Sequence, residues 1–140
     1  MKLLREIFNE ILCTCPDVPP ETGGILGSQN GLVVDFLFDK GINHDFPDRY
    51  VPDINRLNKK IENWINADIE FCGIFHTHFP HGKELSEADK RYITEILNAV
   101  PQKMLYFPIV FPNKEMIVWK AEIIHDQLIL SHEGIELIKN

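Results

Sequence analysis

The sequence is poor in cysteine, in positive charge and in long apolar runs, and each shortage argues against a class of function. Only three cysteines occur in 140 residues, Cys13, Cys15 and Cys72. An odd number in a chain not expected to be secreted argues against a disulfide framework. Cys13-x-Cys15 also lacks a second Cys/His pair beside it to close a structural metal site. Fourteen Lys and Arg stand against 21 Asp and Glu, a formal charge of −7, and no basic cluster is longer than a pair such as Lys59-Lys60. A phosphate backbone needs a basic face, so nucleic acid is set aside as a partner. No apolar run approaches the roughly 18 residues that span a bilayer. The N-terminal stretch carries Arg5, Glu6 and Glu10 where a signal peptide needs unbroken apolar sequence. The expected protein is cytoplasmic and away from membranes.

What remains is an ordinary globular balance, 44% hydrophobic and 25% charged. A chain of this length can bury roughly two-thirds of its unfolded surface, so residues 1–140 are expected to form one domain. Leu3, Leu4, Ile7, Phe8, Ile11 and Leu12 recur at helical spacing until Cys15-Pro16 and Pro19-Pro20 end the pattern. Glu21 to Gly27 and Leu32 to Phe38 are apolar segments joined through Asn30-Gly31, the signature of a β-hairpin. A polar stretch over residues 40–50 leads to a second helical stripe, Ile54, Leu57, Ile61, Trp64 and Ile65, opened by Pro52-Asp53.

Ile69 to His76 reads as a strand, and Ser86 to Val100 as a helix carrying Tyr92, Ile93, Ile96, Leu97 and Val100. Two strands, Met104 to Phe111 and Glu115 to Ile124, follow, with Pro108 predicting an edge or bulged position for the first. A short strand near Leu128 to Ser131 closes the pattern. The order predicts an α/β fold, a mixed β-sheet flanked by helices.

The chemistry concentrates in His76-Thr77-His78, followed after seven residues by Ser86 and then Asp89. In an extended strand, side chains two apart share a face with Cα atoms about 6.6 Å apart, so two imidazoles can converge on one ion. The loop Phe79 to Leu85, with Pro80 and Gly82, allows a reversal that returns the start of the next helix to the same strand end. Asp89 is then a third ligand. Two His and one carboxylate leave a tetrahedral zinc one open position for water, whose pKa the metal lowers from 15.7 to about 7. Such a site still needs a base, and Glu21, opening a strand before Gly23-Gly24, is the candidate.

These residues, Glu21-Thr-Gly-Gly-Ile-Leu-Gly, His76-Thr-His78 and Ser86-x-x-Asp89, resemble the JAMM, or catalytic MPN-domain, metalloprotease family. Phe79 and Leu85 stand where many members carry proline. The resemblance implies an MPN-like (cytidine-deaminase-like) fold and one zinc per chain held by His76, His78 and Asp89. It implies that Glu21 shuttles the proton and that Ser86 hydrogen-bonds the oxyanion. It further implies a compact prokaryotic-type isopeptidase or peptidase that cleaves after the C-terminal tail of a ubiquitin-like protein, a tail ending in small residues.

Other readings stay open at this stage. Ser86-Glu87-Ala88-Asp89 also fits a helix capping box, in which both side chains serve the backbone. A non-catalytic MPN module that scaffolds a complex is the main alternative to the enzyme. Two His and one carboxylate also make the facial triad of a non-haem iron enzyme, a scheme that gives Glu21 no task. His44, His81, His125 and His132 are assigned no role, the last two being expected on the surface.

Overall fold

A computed structural model describes residues 1–42, 50–79 and 85–139. The elements run β1 (Lys2–Leu4), α1 (Arg5–Thr14), β2 (Gly23–Gln29), β3 (Leu32–Asp39), α2 (Ile54–Asn66), β4 (Glu70–Thr77), α3 (Glu87–Ala99), β5 (Met104–Val110), β6 (Met116–Ile124), β7 (Gln127–Glu133) and β8 (Glu136–Ile138). The polar stretch over residues 43–49 and the loop over 80–84, with His44, Pro80, His81 and Gly82, lie outside the described residues. No helix among the described residues is long and apolar enough to cross a membrane.

The strands form one mixed sheet in the order β7-β6-β5-β4-β2-β3-β1-β8. The predicted hairpin is present: β2 and β3 pair antiparallel about Asn30 (φ 50°) and Gly31 (φ 79°), the left-handed pair that a two-residue hairpin turn requires. β4 pairs antiparallel with β2 and parallel with β5, and a parallel neighbour needs a crossover, which α3 supplies. The two terminal strands of the sheet, β7 and β8, are joined only by Gly134-Ile135, so the sheet curls back on itself.

Alternation along the strands divides the core between the two faces. Ile25, Ile74 and Ile109 face one cluster with Leu57 and Trp64 of α2 and Ile93 and Leu97 of α3. Their chain neighbours Leu26, Phe75 and Val110 face the other, with Ile7 and Ile11 of α1. α2 and α3 therefore cover one face and α1 the opposite one. The ends of α2 depart from the predicted stripe, since Ile54 and Ile65 are exposed and only Leu57 and Trp64 are buried.

Two expectations are corrected. Lys2–Leu4 is a strand and not the first turn of a helix, because Leu3 is fully buried between β3 and β8 and α1 begins at Arg5. Pro108 sits in an interior strand rather than at an edge. The β4–β5 ladder accommodates it by an interruption: Gly73 pairs with Tyr106 and His76 with Ile109, and the proline, with no N–H to give, lies between them.

Candidate metal centre

Three strands and a helix start meet where β4 ends. Gly23 of β2 pairs with His76 on one side, and on the other side of β4 His76 pairs with Ile109 of β5. Hydrogen bonds carry both ladders past the end of β4: Thr77 N donates to Thr22 O at 2.8 Å, and His78 N donates to Val110 O at 3.0 Å. Thr77 also accepts from Thr22 N through Oγ1 at 2.8 Å, so the residue between the histidines fastens the neighbouring strand. Continuing this register by one step sets Glu21 level with His78, and the strand alternation gives Glu21, His76 and His78 a common face. Glu21 is buried, 6% exposed. Gly23 must lack a side chain, since a Cβ there would run into the Tyr50 ring and the Phe75 carbonyl.

Asp89 arrives from the helix. Ser86 caps α3: its Oγ accepts from Asp89 N at 3.0 Å while Asp89 Oδ2 accepts from Ser86 N at 3.0 Å, the reciprocal capping box expected of this tetrapeptide. The same carboxylate faces the histidines, with Oδ1 3.8 Å from His76 Nε2 and Oδ2 3.9 Å from His78 Nε2. Capping and approach to the imidazoles coexist because a carboxylate offers about four lone-pair directions. Ser86, by accepting one bond, keeps its own hydroxyl hydrogen to donate. Leu85, just before the cap, is buried in the core and anchors the helix start.

Six buried side-chain polar atoms lack a hydrogen-bond partner among the described residues, and three belong to Thr22, His76 and His78. Since buried polar groups are normally bonded, this clustering marks the strand end as unfinished. Burial pushes His76 down to about 4, against the pull of Asp89, which acts upward, and with His78 acting downward. At neutral pH its imidazole is uncharged, the form that ligates metals. His78 also lies edge-on to Phe111, with ring centroids 6.3 Å apart.

Two nitrogen or oxygen ligands of one tetrahedral zinc stand about 3.4 Å apart, so the His76 and His78 separations from Asp89 exceed ligand spacing by about half an ångström. Accordingly, no group of His, Cys, Asp and Glu among the described residues is close enough together to hold an ion as it stands. The donor set nevertheless suits zinc: two imidazoles, one with a buried Nε2 that lacks a partner among the described residues, and a carboxylate facing both. Thr77 and the Tyr50 ring over Gly23 were not singled out from the sequence. Thr77 carries a weak signal there, a β-branched hydroxyl between two candidate ligands; Tyr50 carries none.

No family model matches the chain, and no curated protein matches it. Solved structures do. Protein DSY2949 from Desulfitobacterium hafniense, a solution structure, superposes with a TM-score of 0.69 at 17% identity over 99% of this chain and 93% of its own. A protein from Salinibacter ruber gives 0.60 at 16% identity over 99% and 92%. The crystal structure of AF2198, a JAB1/MPN domain protein from Archaeoglobus fulgidus, gives 0.53 at 16% identity over 99% of both chains. At such identities the likeness concerns the fold, and the fold is that of the JAB1/MPN domain: a curled mixed sheet with helices on both faces.

Proposed function

We propose that this chain is a zinc-dependent isopeptidase or peptidase of the JAMM type, cleaving after the C-terminal tail of a ubiquitin-like protein in the cytoplasm. The observation that carries the reading is the convergence of His76 Nε2 and His78 Nε2 on the two oxygens of Asp89 at a strand end where buried polar atoms lack partners. His76, His78 and Asp89 would hold the ion, one per chain. When bound, zinc supplies Lewis acidity, polarising a carbonyl and lowering the pKa of water.

The chain's own residues supply the rest. Glu21, level with His78 and buried, accepts a proton from the attacking water and returns it to the amine as the C–N bond breaks. Ser86 donates its hydroxyl hydrogen to the carbonyl oxygen as that oxygen gains charge. Gly23 and Phe111 flank the histidines. Small residues at the end of the tail suit the narrow approach expected beside His76, where a bulky side chain next to the scissile bond would be excluded.

The test is metal content by mass spectrometry of the purified protein beside His78→Ala and Asp89→Ala, with folding checked by circular dichroism. One zinc per wild-type chain, lost in both folded variants, is expected, together with chelator-sensitive cleavage of a ubiquitin-like protein fused through a Gly-Gly tail. Absence of metal after reconstitution with zinc would overturn the reading and favour a scaffolding MPN module.

A further inference from the structure

The outer edge of β7 is left with backbone bonding capacity unmet. β6 and β7 are joined by the two-residue turn His125-Asp126, both in the left-handed region (φ 51° and 63°), which closes on the pair Ile124–Gln127. From that pair onward the ladder alternates, so Gln127, Ile129, Ser131 and Glu133 direct their N–H and C=O groups to β6. Leu128, Leu130 and His132 direct theirs away from it. The same parity continues beyond the strand, where Gly134 O accepts from the Met1 ammonium at 2.6 Å and Glu136 N donates to Met1 O at 3.0 Å. β1 thus takes this edge only from residue 134 onward, and the outward groups of Leu128, Leu130 and His132 face no strand among the described residues.

Natural edge strands are guarded by lysine, proline, a bulge or brevity. β7, Gln-Leu-Ile-Leu-Ser-His-Glu, is seven residues long and has no Lys, Arg, Pro or Gly, and its pairing with β6 runs without a register shift. Its one acidic residue, Glu133, lies at the end and is already engaged by the Met1 ammonium at 3.3 Å and Lys120 at 3.5 Å. His132 packs against Trp119 at a tilt of 33°, with ring centroids 3.8 Å apart. Ile129 is 41% exposed, beside Ile124 at 43% and in one cross-strand row with Glu122 and Met104.

We propose that β7 pairs antiparallel with β7 of a second copy of this chain, across a two-fold axis at Leu130, to form a homodimer with one sheet running through both copies. The strand is its own complement in that register. Leu130 meets Leu130, Leu128 meets His132, Ile129 meets Ser131 and Gln127 meets Glu133, so no two like charges are opposed. The residues that meet as hydrogen-bonded pairs are those whose backbone groups point outward, giving about six new backbone bonds. A two-fold contact of this kind is isologous and closes after two copies.

The proposal stands apart from the metal site, and its test reads association and amide exchange only. Sedimentation velocity of the wild type over roughly 5 to 500 μM should show a concentration-dependent monomer–dimer equilibrium, the range suited to a contact at the small end of interface sizes. Hydrogen exchange followed by NMR should show protection of the Leu128, Leu130 and His132 amides that rises with concentration, while Ile129 and Ser131 stay protected throughout. Ile129→Lys with Ser131→Lys sets lysines opposite each other and should weaken the dimer at least tenfold; Ile129→Lys with Ser131→Asp should restore it. A monomer at every concentration would overturn the proposal. So would exchange at Leu128, Leu130 and His132 that does not depend on concentration, or a lysine pair that dimerises like the wild type.

Discussion

A single rung of the sheet carries two buried polar groups that the protein treats in opposite ways. Gly23 pairs with Asp39 on one side and with His76 on the other. Asp39 is 2% exposed and bonded on all sides. It accepts from Gly41 N at 3.1 Å, from Tyr50 Oη at 2.7 Å and from Asp53 N at 2.9 Å, with Arg56 Nη1 3.7 Å away. Burial and the bond to Asp39 both push the Tyr50 phenol upward, so it stays a donor. The His76 side chain is 14% exposed but its Nε2 is buried, and among the described residues that nitrogen lacks a hydrogen-bond partner, with Asp89 Oδ1 3.8 Å off. Burial of the polar atom alone therefore does not separate a structural group from one proposed to bind metal. The completeness of its bonding does, because an unmet buried group is costly and persists where something else has a use for it.

The largest effect should come from the working side. Glu21→Gln keeps the shape and removes the base, and should lower turnover by about 10² to 10⁴-fold with zinc content and melting temperature unchanged. Peptide-tail cleavage assayed beside metal analysis checks this, and wild-type turnover would remove Glu21 from the scheme. The satisfied side should answer the other way. Asp39→Ala strips the acceptor from Tyr50, Gly41 and Asp53 at once, and should cost about 3 kcal/mol of stability in urea unfolding while the folded fraction still binds zinc. A variant that loses zinc but no stability would erase the contrast between the two halves of the rung.

A subtler effect concerns pH. Burial lowers His76 from 6.5 to about 4, so between those values the unfolded chain binds a proton that the folded chain does not. Stability then rises with pH across this window: it is fully present above 6.5, is lost as pH falls toward 4, and changes no further below it. Thermal melts of the metal-free protein should slope in this direction, and His76→Gln should flatten the slope between pH 6.5 and 5. A variant with an undiminished slope there would assign the titration to another group.

How much of this could be read beforehand depends on how local each determinant is. The β2–β3 hairpin follows from Asn30-Gly31, and α3 from its stripe and its capping box, because those signals lie within a few residues of what they shape. The candidate ligands were legible for the same reason: His-x-His fixes two side chains on one strand face, and a seven-residue loop is long enough to bring Asp89 back. β1 and β8 were not legible, since these three-residue strands form by pairing with each other across most of the chain, as Lys2 does with Glu136, and β1 with β3 beyond the whole of α1. Nor was the Asp39 node, whose members Asp39, Tyr50, Asp53 and Arg56 are individually unremarkable and acquire meaning only when the sheet sets Asp39 beside Gly23.

The smallest expected effect tests a residue that belongs to both sides of the comparison. Ser86 is a structural group by its capping bond to Asp89 N and, in the proposed mechanism, a working one by the hydrogen it keeps. Ser86→Ala should therefore cost about 1 kcal/mol of stability, the usual value of an N-cap, and about 10²-fold in turnover, the usual value of one oxyanion donor. Ser86→Asp separates the two roles. Aspartate caps as well as serine does, but ionised at neutral pH it has no hydrogen to give the developing charge, so stability should return while turnover stays low. Recovery of both would mean that Ser86 acts only by presenting Asp89 to the histidines, and the oxyanion role would then fall to another donor.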